Sequence, residues 1–274
     1  MPTVDLRIAF GTELPKPTWI IEGMIPAGTI LMSTGDPGTG KTVLNLAEGM
    51  HVATGRPFLT FPVNQSRVLY FDQENSGIDL LAYLHRIWVG MERPDIEQII
   101  QFFRVESLSV GDKDWHETVL RIAKEWMPSL IYIDTATSAL GIQQENDNSE
   151  AYDAVGKLRL IIRETPTHPA IKVLKHSKYV SGGGHGGGTR RTIRGAKGWV
   201  GAVDQTMFHI KEHTGRPRKD GLHTTIIVPE KTRAFGLTHH VRVIPSYVDA
   251  ETKGLILKGE KFSPEKDYLI VVEN

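Results

Sequence analysis

Cysteine is absent from this 274-residue chain. Its absence excludes disulfides, thiolate metal sites and cysteine nucleophiles, and it fits a reducing, cytoplasmic setting. Net charge is absent too, because 32 Lys and Arg balance 32 Asp and Glu. A uniformly basic coat for nucleic acid is excluded, and so is an acidic tail; a local basic patch is not. No apolar run approaches the ~18 residues that a membrane span needs. Met1 to Gly11 lacks the basic-then-apolar pattern of a secretory signal, so no membrane partner is expected. Aromatics are few at 8%, yet hydrophobic residues make up 40%, which excludes global disorder. A chain this long buries a sizeable core without staples. It shows no internal repeat and no linker, so residues 1–274 are expected to form a single domain.

Apolar runs alternate with amphipathic stretches. Strand patterns fall at Thr29–Thr34, Arg67–Asp72, Gln101–Val105, Leu130–Asp134 and Ala170–Leu174. Helical patterns fall at Lys41–Thr54, Ile78–Trp88, Trp115–Trp126 and Ala151–Glu164. This rhythm predicts an α/β fold with a mainly parallel sheet flanked by helices on both faces. After Lys178 the rhythm changes. Ser181–Gly188 reads SGGGHGGG, which predicts a flexible Gly-rich basic loop over residues 177–193. Val203–Lys211, His223–Val228 and His240–Ile244 then read as antiparallel strands appended to the sheet. Residues 245–274 read as a C-terminal β tail and residues 1–27 as a lead-in.

Gly35-Asp36-Pro37-Gly38-Thr39-Gly40-Lys41-Thr42 matches the phosphate-binding pattern GxxxxGK[ST] at every fixed position. It follows a predicted strand and opens a predicted helix, the context that the motif requires. Glycines let backbone N–H groups turn inward around phosphate oxygens, and the helix N-terminus adds its positive end. Lys41 has the length to reach the β- and γ-phosphates, and the Thr42 hydroxyl can ligate Mg²⁺. Gly35 to Val43 are therefore the candidate ATP-binding residues. The alternative is a Gly-rich turn that binds nothing.

Two apolar runs end in acids. Leu130–Asp134 predicts a strand beside the phosphate loop whose terminal Asp134 holds the Mg²⁺. Val68–Asp72 is followed by Glu74, placed past the strand tip to orient and deprotonate a water. Each acid could instead cap the next helix, and Asp72 reads as structural.

These pieces resemble the RecA-like ATPases, in particular the short hexameric replicative helicases of the RepA type, from about Trp19 to about Gly236. The Trp19–Gly28 lead-in, Tyr70–Glu74, Asp134-Thr135 with Glu145–Asn148, Lys175–Lys178, and Arg194–Ala196 with Asp204 carry the resemblance. The resemblance implies that Glu74 is the catalytic base and His176 a γ-phosphate sensor. Lys175 stands where the family has a first His of a doublet. Lys231-Thr232-Arg233 resembles the Lys-x-Arg finger that ring-forming relatives insert into the next subunit's ATP site, which implies a homo-oligomeric ring, a hexamer. The alternative for that segment is a sheet-edge hairpin carrying charge against aggregation.

Ile171 to Lys197 holds Lys172, Lys175, Lys178, Arg190, Arg191, Arg194 and Lys197, with no acid. In RecA-like motors a loop at this place faces single-stranded DNA. Mobile Lys and Arg neutralise phosphates without reading sequence, so Lys178, Arg190, Arg191, Arg194 and Lys197 are the candidate DNA contacts. Tyr179 and Trp199 flank the loop as stacking candidates. His209 and His213 have i,i+4 spacing but lie on a strand and a turn, without the carboxylates a metal site needs. The zero net charge is itself a cancellation. Residues 1–170 carry 14 basic and 22 acidic side chains, and residues 171–274 carry 18 and 10.

The expected function is thus an ATP-hydrolysing motor on single-stranded DNA. The alternatives are a recombination or annealing protein without unwinding activity, and a regulatory ATPase that never binds DNA.

Overall fold

The computed structural model describes residues 16–108, 114–142, 147–180, 190–193, 198–212, 218–233 and 235–262. A small hairpin of β1 (Trp19–Ile21) and β2 (Ile25–Pro26) comes first. Then follow β3 (Ile30–Gly35), α1 (Lys41–Thr54), β4 (Val68–Asp72), α2 (Gly77–Gly90), α3 (Ile96–Phe102) and β5 (Phe103–Glu106). Next come α4 (Trp115–Trp126), β6 (Leu130–Asp134), α5 (Ala136–Ala139), α6 (Asn148–Glu164) and β7 (Ala170–Val180). The rest is β8 (Arg190–Ile193), α7 (Gly198–Ala202), β9 (Gln205–Lys211), β10 (Thr225–Thr232), β11 (His240–Tyr247) and β12 (Leu255–Phe262).

The main sheet has the order β12-β11-β10-β9-β3-β7-β6-β4-β5, with β8 added to the far end of β7. The six strands from β9 to β5 are parallel, and β10, β11 and β12 continue the sheet antiparallel. The central strands are buried along both faces, which is why they read as unbroken apolar runs. One face packs under α1, α2 and α3 through Leu44, Leu46, Met50, Tyr70 and Tyr132. The other packs under α4, α6 and α7 through Trp115, Val119, Leu158, Ile161 and Trp199. In α4, the buried Trp115, Val119, Ile122 and Ala123 follow helical spacing. Leu158 has no exposed surface, so truncation to Ala there would cost about 2–5 kcal/mol. Caps fix the helix starts. Ser76 accepts from Asp79 N at the head of α2, and Asp147 from Ser149 N at the head of α6.

The α/β class with its appended antiparallel region is as the sequence predicts; several details differ. Residues 101–102 close α3, and the strand begins only at Phe103, because Asp95 caps a helix through the preceding residues. The sequence does not give the strand order: β7 lies between β3 and β6, and Asp134 still reaches the phosphate loop through Thr42. β9 is not antiparallel to what precedes it; it adds parallel to β3, and only β10 onward reverses. Of the expected loop 177–193, Ser177–Val180 pair antiparallel with Arg190–Ile193 of β8, and residues 181–189, which hold the Gly-rich run, lie outside the described residues. Of the expected tail, Leu255–Phe262 is an edge strand of the main sheet, and residues 263–274 lie outside the described residues.

Candidate nucleotide site

Parallel strands send their carboxyl ends, and the loops that follow, to one edge of the sheet. Gly35, Asp72, Asp134 and His176 all arrive there, with Gly35 in register with His176 and Asp72 with Asp134. The loop from Gly35 to Gly40 turns through Gly38 and Gly40 at φ of +74° and +79°, conformations that a side chain disfavours. No side chain caps α1, so its first backbone N–H groups face outward for an anion. Pro37 and Gly38 form the exposed tip, while Thr39 is buried and Val43 half-buried behind it. The loop is braced from behind. Thr39 Oγ1 donates to Asp36 O at 2.8 Å, and Thr225 Oγ1 on β10 donates to Thr39 O at 3.0 Å.

Lys41 is buried, and its Nζ donates to the carbonyls of Gly35 and Asp36 at 2.8 and 2.9 Å. Burial pulls its ammonium below the usual lysine range, against the opposing pull of Asp134, Glu74 and Asp36. Thr42 Oγ1 donates to Asp134 Oδ2 at 2.8 Å, and the Tyr70 hydroxyl donates to the same oxygen at 2.9 Å. Burial pushes the Asp134 carboxyl up to about 6, while the bonds from Thr42 and Tyr70 pull the other way. A hydroxyl and a buried carboxylate held together at the head of the helix form the donor set that Mg²⁺ takes beside a triphosphate, so these residues fit ATP with Mg²⁺.

Glu74 lies about one-third exposed past the tip of β4. Its Oε1 accepts from Thr135 Oγ1 at 3.0 Å and meets His176 Nε2 at 3.2 Å. The bond to His176 does most to hold the Glu74 carboxyl below its usual range, so it is an anion at neutral pH. Asp72 has a different task. Its Oδ1 accepts from the backbone N–H of Glu74 and Asn75 at 2.9 and 3.0 Å, fixing the turn that presents Glu74.

Other expected residues lie elsewhere. Lys231 and Arg233 sit at the opposite edge, where β10 pairs with the start of β9. Lys231 Nζ donates to the carbonyls of Val200, Gly201 and Val203, closing the C-terminal end of α7. Arg233 donates to Gly201 O at 2.7 Å and lies 3.6 Å from Asp204, with half its side chain exposed. Asp204 also pairs with Arg159 at 3.0 Å and accepts from Ile30 N at 2.9 Å. At about 3.3 Å per residue, β3 separates this cluster from the phosphate loop by about 20 Å.

Lys178, Arg190 and Arg191 fall on the β7–β8 hairpin, which leaves the sheet directly after His176. Arg194 and Lys197 lie outside the described residues, as do Glu145 and His213. Trp199 is completely buried, with Lys175 Nζ 5.1 Å above its ring. That overturns its reading as a base-stacking residue: an indole sealed under α6 has no face to offer. His209 is buried with Nε2 2.7 Å from Ser33 Oγ, and burial first, then Lys172 and Lys41, hold its imidazole neutral. Among the described residues, no group of three His, Asp or Glu could hold a metal, and no helix is long and apolar enough to cross a membrane. Sequence reasoning missed Tyr70, Thr135 and Thr225. Tyr70 carried a signal, a phenol in a strand buried on both faces, which needs a hydrogen-bond partner.

A family described as AAA domain matches residues 2–178 of the chain. Among solved structures, the KaiC-like protein of the hyperthermophilic archaeon Pyrococcus horikoshii OT3 is similar at a TM-score of 0.54. The two share 15% identity over 87% of this chain and 93% of that one, a likeness of fold. No curated protein matches the chain.

Proposed function

We propose, from the premise that this chain belongs to the AAA domain family of RecA-like P-loop ATPases, that it hydrolyses ATP to drive movement on single-stranded DNA. The observation that carries the ATPase part is the meeting of Thr42 with Asp134 at 2.8 Å beside Glu74. Gly35 to Val43 would bind the triphosphate, with Lys41 leaving its two carbonyls for the β- and γ-phosphates. Thr42 and Asp134 would hold Mg²⁺, which when bound neutralises charge on the phosphoryl oxygens. Glu74 would take the proton from a water whose oxygen attacks the γ-phosphorus, as the bond to the β-phosphate oxygen breaks and ADP leaves. His176, in contact with Glu74, would register the γ-phosphate. Such chemistry is mostly positioning and electrostatics, which suits groups fixed by a rigid sheet edge.

The DNA part rests on placement and charge. The run from Ile171 to Lys197 has no acid, and of its seven basic residues Lys172 and Lys175 are buried in the sheet; the five that follow His176 are Lys178, Arg190, Arg191, Arg194 and Lys197. It leaves the sheet one residue after the group that contacts Glu74. Lys178, Arg190, Arg191, Arg194 and Lys197 would contact phosphates there without reading sequence. Arg233 is too far from the phosphate loop of its own chain, so it would act on the ATP site of a neighbouring copy in a ring, a hexamer in this reading. Lys231 would hold the segment in place.

ATP turnover should rise with single-stranded DNA, and a forked duplex should be unwound. DNA binding without unwinding would favour an annealing protein, and turnover indifferent to DNA a regulatory ATPase. Removing charge at Arg190, Arg191 and Arg194 should flatten the salt dependence of DNA binding; an unchanged slope sinks the assignment of this loop.

A further inference from the structure

A polar network lies where an apolar layer is expected. Tyr70, Tyr132 and Lys172 stand side by side across β4, β6 and β7, in register, on the face that α1 covers. Glu48 projects into this row from α1. Its carboxylate accepts from Lys172 Nζ at 2.8 and 3.0 Å and from the Tyr132 hydroxyl at 2.7 Å. The pair is sealed off, with side-chain exposures of 2% for Lys172 and 1% for Glu48. The Tyr132 ring stacks on Tyr70 at 5.2 Å, and Tyr70 in turn holds Asp134. On α1, Lys41, Asn45 and Glu48 follow i, i+4, i+7 spacing and form one stripe toward the sheet. Asn45 itself donates within α1, to Lys41 O at 2.7 Å, and is not bonded to Glu48.

A buried ion pair often stabilises no more than apolar side chains of similar size, because desolvation offsets the attraction. What it does supply is a defined geometry. Apolar side chains let a helix slide or rotate a little over a sheet; a carboxylate holding an ammonium and a phenol at once does not. Glu48 lies six residues from Thr42 on α1, and Lys172 lies four from His176 on β7.

We propose that Glu48, Lys172 and Tyr132 are positioning residues for the phosphate site, locking α1 to β7 and β6 in one register. The lock keeps Thr42 opposite Asp134 and makes α1 and the strand carrying His176 move together. It rests on the reading of Gly35 to Val43 as the ATP site.

The test is the double variant Glu48→Met with Lys172→Met, which keeps volume and removes both charges. Its melting temperature should fall modestly, because the buried Tyr132 hydroxyl loses its acceptor while the charge pair itself is replaced at little cost. Amide exchange over residues 41–46 should quicken in nucleotide-free protein, while exchange in α6 stays unchanged. Mg²⁺-dependent affinity for a fluorescent ATP analogue should fall about tenfold or more, the scale on which displaced positioning groups are felt. Parental exchange and parental affinity in the double variant would overturn the proposal. If that variant does not fold, Tyr132→Phe takes its place, with exchange and affinity changed in the same direction. A Tyr132→Phe protein identical to the parent in both readouts overturns the proposal equally. Failure of the parent protein to bind nucleotide would instead count against the ATP site itself, and the exchange readout, which needs no nucleotide, still decides the lock.

Discussion

The two edges of the parallel sheet use the same residue types to opposite ends. At the carboxyl edge, Lys41, Asp134, Glu74 and His176 gather around the head of α1, which no side chain caps. At the other edge, Lys231, Arg233, Arg159 and Asp204 are also gathered, but Lys231, Arg159 and Asp204 are spent on the fold, and Arg233 is only half engaged in it. Lys231 places its three donors on three carbonyls, and Asp204 secures the first amide of β3. The lesson is that a charged cluster is defined by where its hydrogen bonds go. At one edge the charged groups end on one another and on the phosphate loop, where a ligand can take them over; at the other, Lys231 and Asp204 end on backbone of the core fold.

The sharpest break in this comparison should come from Glu74→Gln. Hydrolysis should fall about 10²- to 10⁴-fold with nucleotide affinity retained. Asp204→Ala, at the other edge, should leave nucleotide affinity intact and lower the unfolding free energy by about 1–3 kcal/mol, through the orphaned amide of Ile30. Equal loss of nucleotide binding in both variants would erase the distinction between the edges.

Next in size is the pH dependence at Asp134. Its carboxyl holds a proton more tightly in the folded chain, up to about 6 against an ordinary 3.8. Below the ordinary value both states are protonated and nothing is lost. As pH rises from there toward 6 the unfolded chain sheds its proton first, so the fold loses stability, and above 6 the loss is complete. In metal-free buffer Asp134→Asn should therefore be more stable than the parent at pH 7.5, by up to about 3 kcal/mol. The gain should shrink on acidification and vanish near pH 4, as read from urea unfolding. A gain that does not vary with pH would mean that the carboxyl is not strained by burial.

Smaller effects are expected at the far edge. Lys231→Met leaves the end of α7 open and should cost about 1–2 kcal/mol. Arg233→Ala, half exposed, should cost no more than about 1 kcal/mol. If Arg233 serves a neighbour's site, that variant should also lose ATP turnover and regain it on mixing with Glu74→Gln protein, because mixed rings contain complete interfaces. No regain on mixing would confine Arg233 to its own chain.

Much of the carboxyl edge was legible because its chemistry is local in sequence. A phosphate loop is eight consecutive residues, and an acid ending an apolar run marks a strand tip. The insertion of β7 between β3 and β6, and the parallel docking of β9, were not legible. Strand order is decided by long-range packing, and an apolar run does not name its neighbour. Lys231 was read from its spacing to Arg233, whereas its partners belong to a helix thirty residues earlier that the sequence did not predict. The Glu48 network did leave a trace. A lysine inside Ala170-Ile171-Lys172-Val173-Leu174 and a glutamate on the apolar side of α1 each demand a partner when buried, and the two satisfy each other.

β7 is a single strand of 11 residues that belongs to two structures. Its first half is clamped in the sheet, and its second half leaves as one arm of the hairpin with β8. From the Lys172 clamp to Val180 is eight residues, about 26 Å at 3.3 Å each. Were β7 to tilt as one body about that clamp, it would be a lever with His176 between its fulcrum and its tip. In that geometry a tilt too small to disturb the core would be magnified at the far end, where the hairpin with β8 begins.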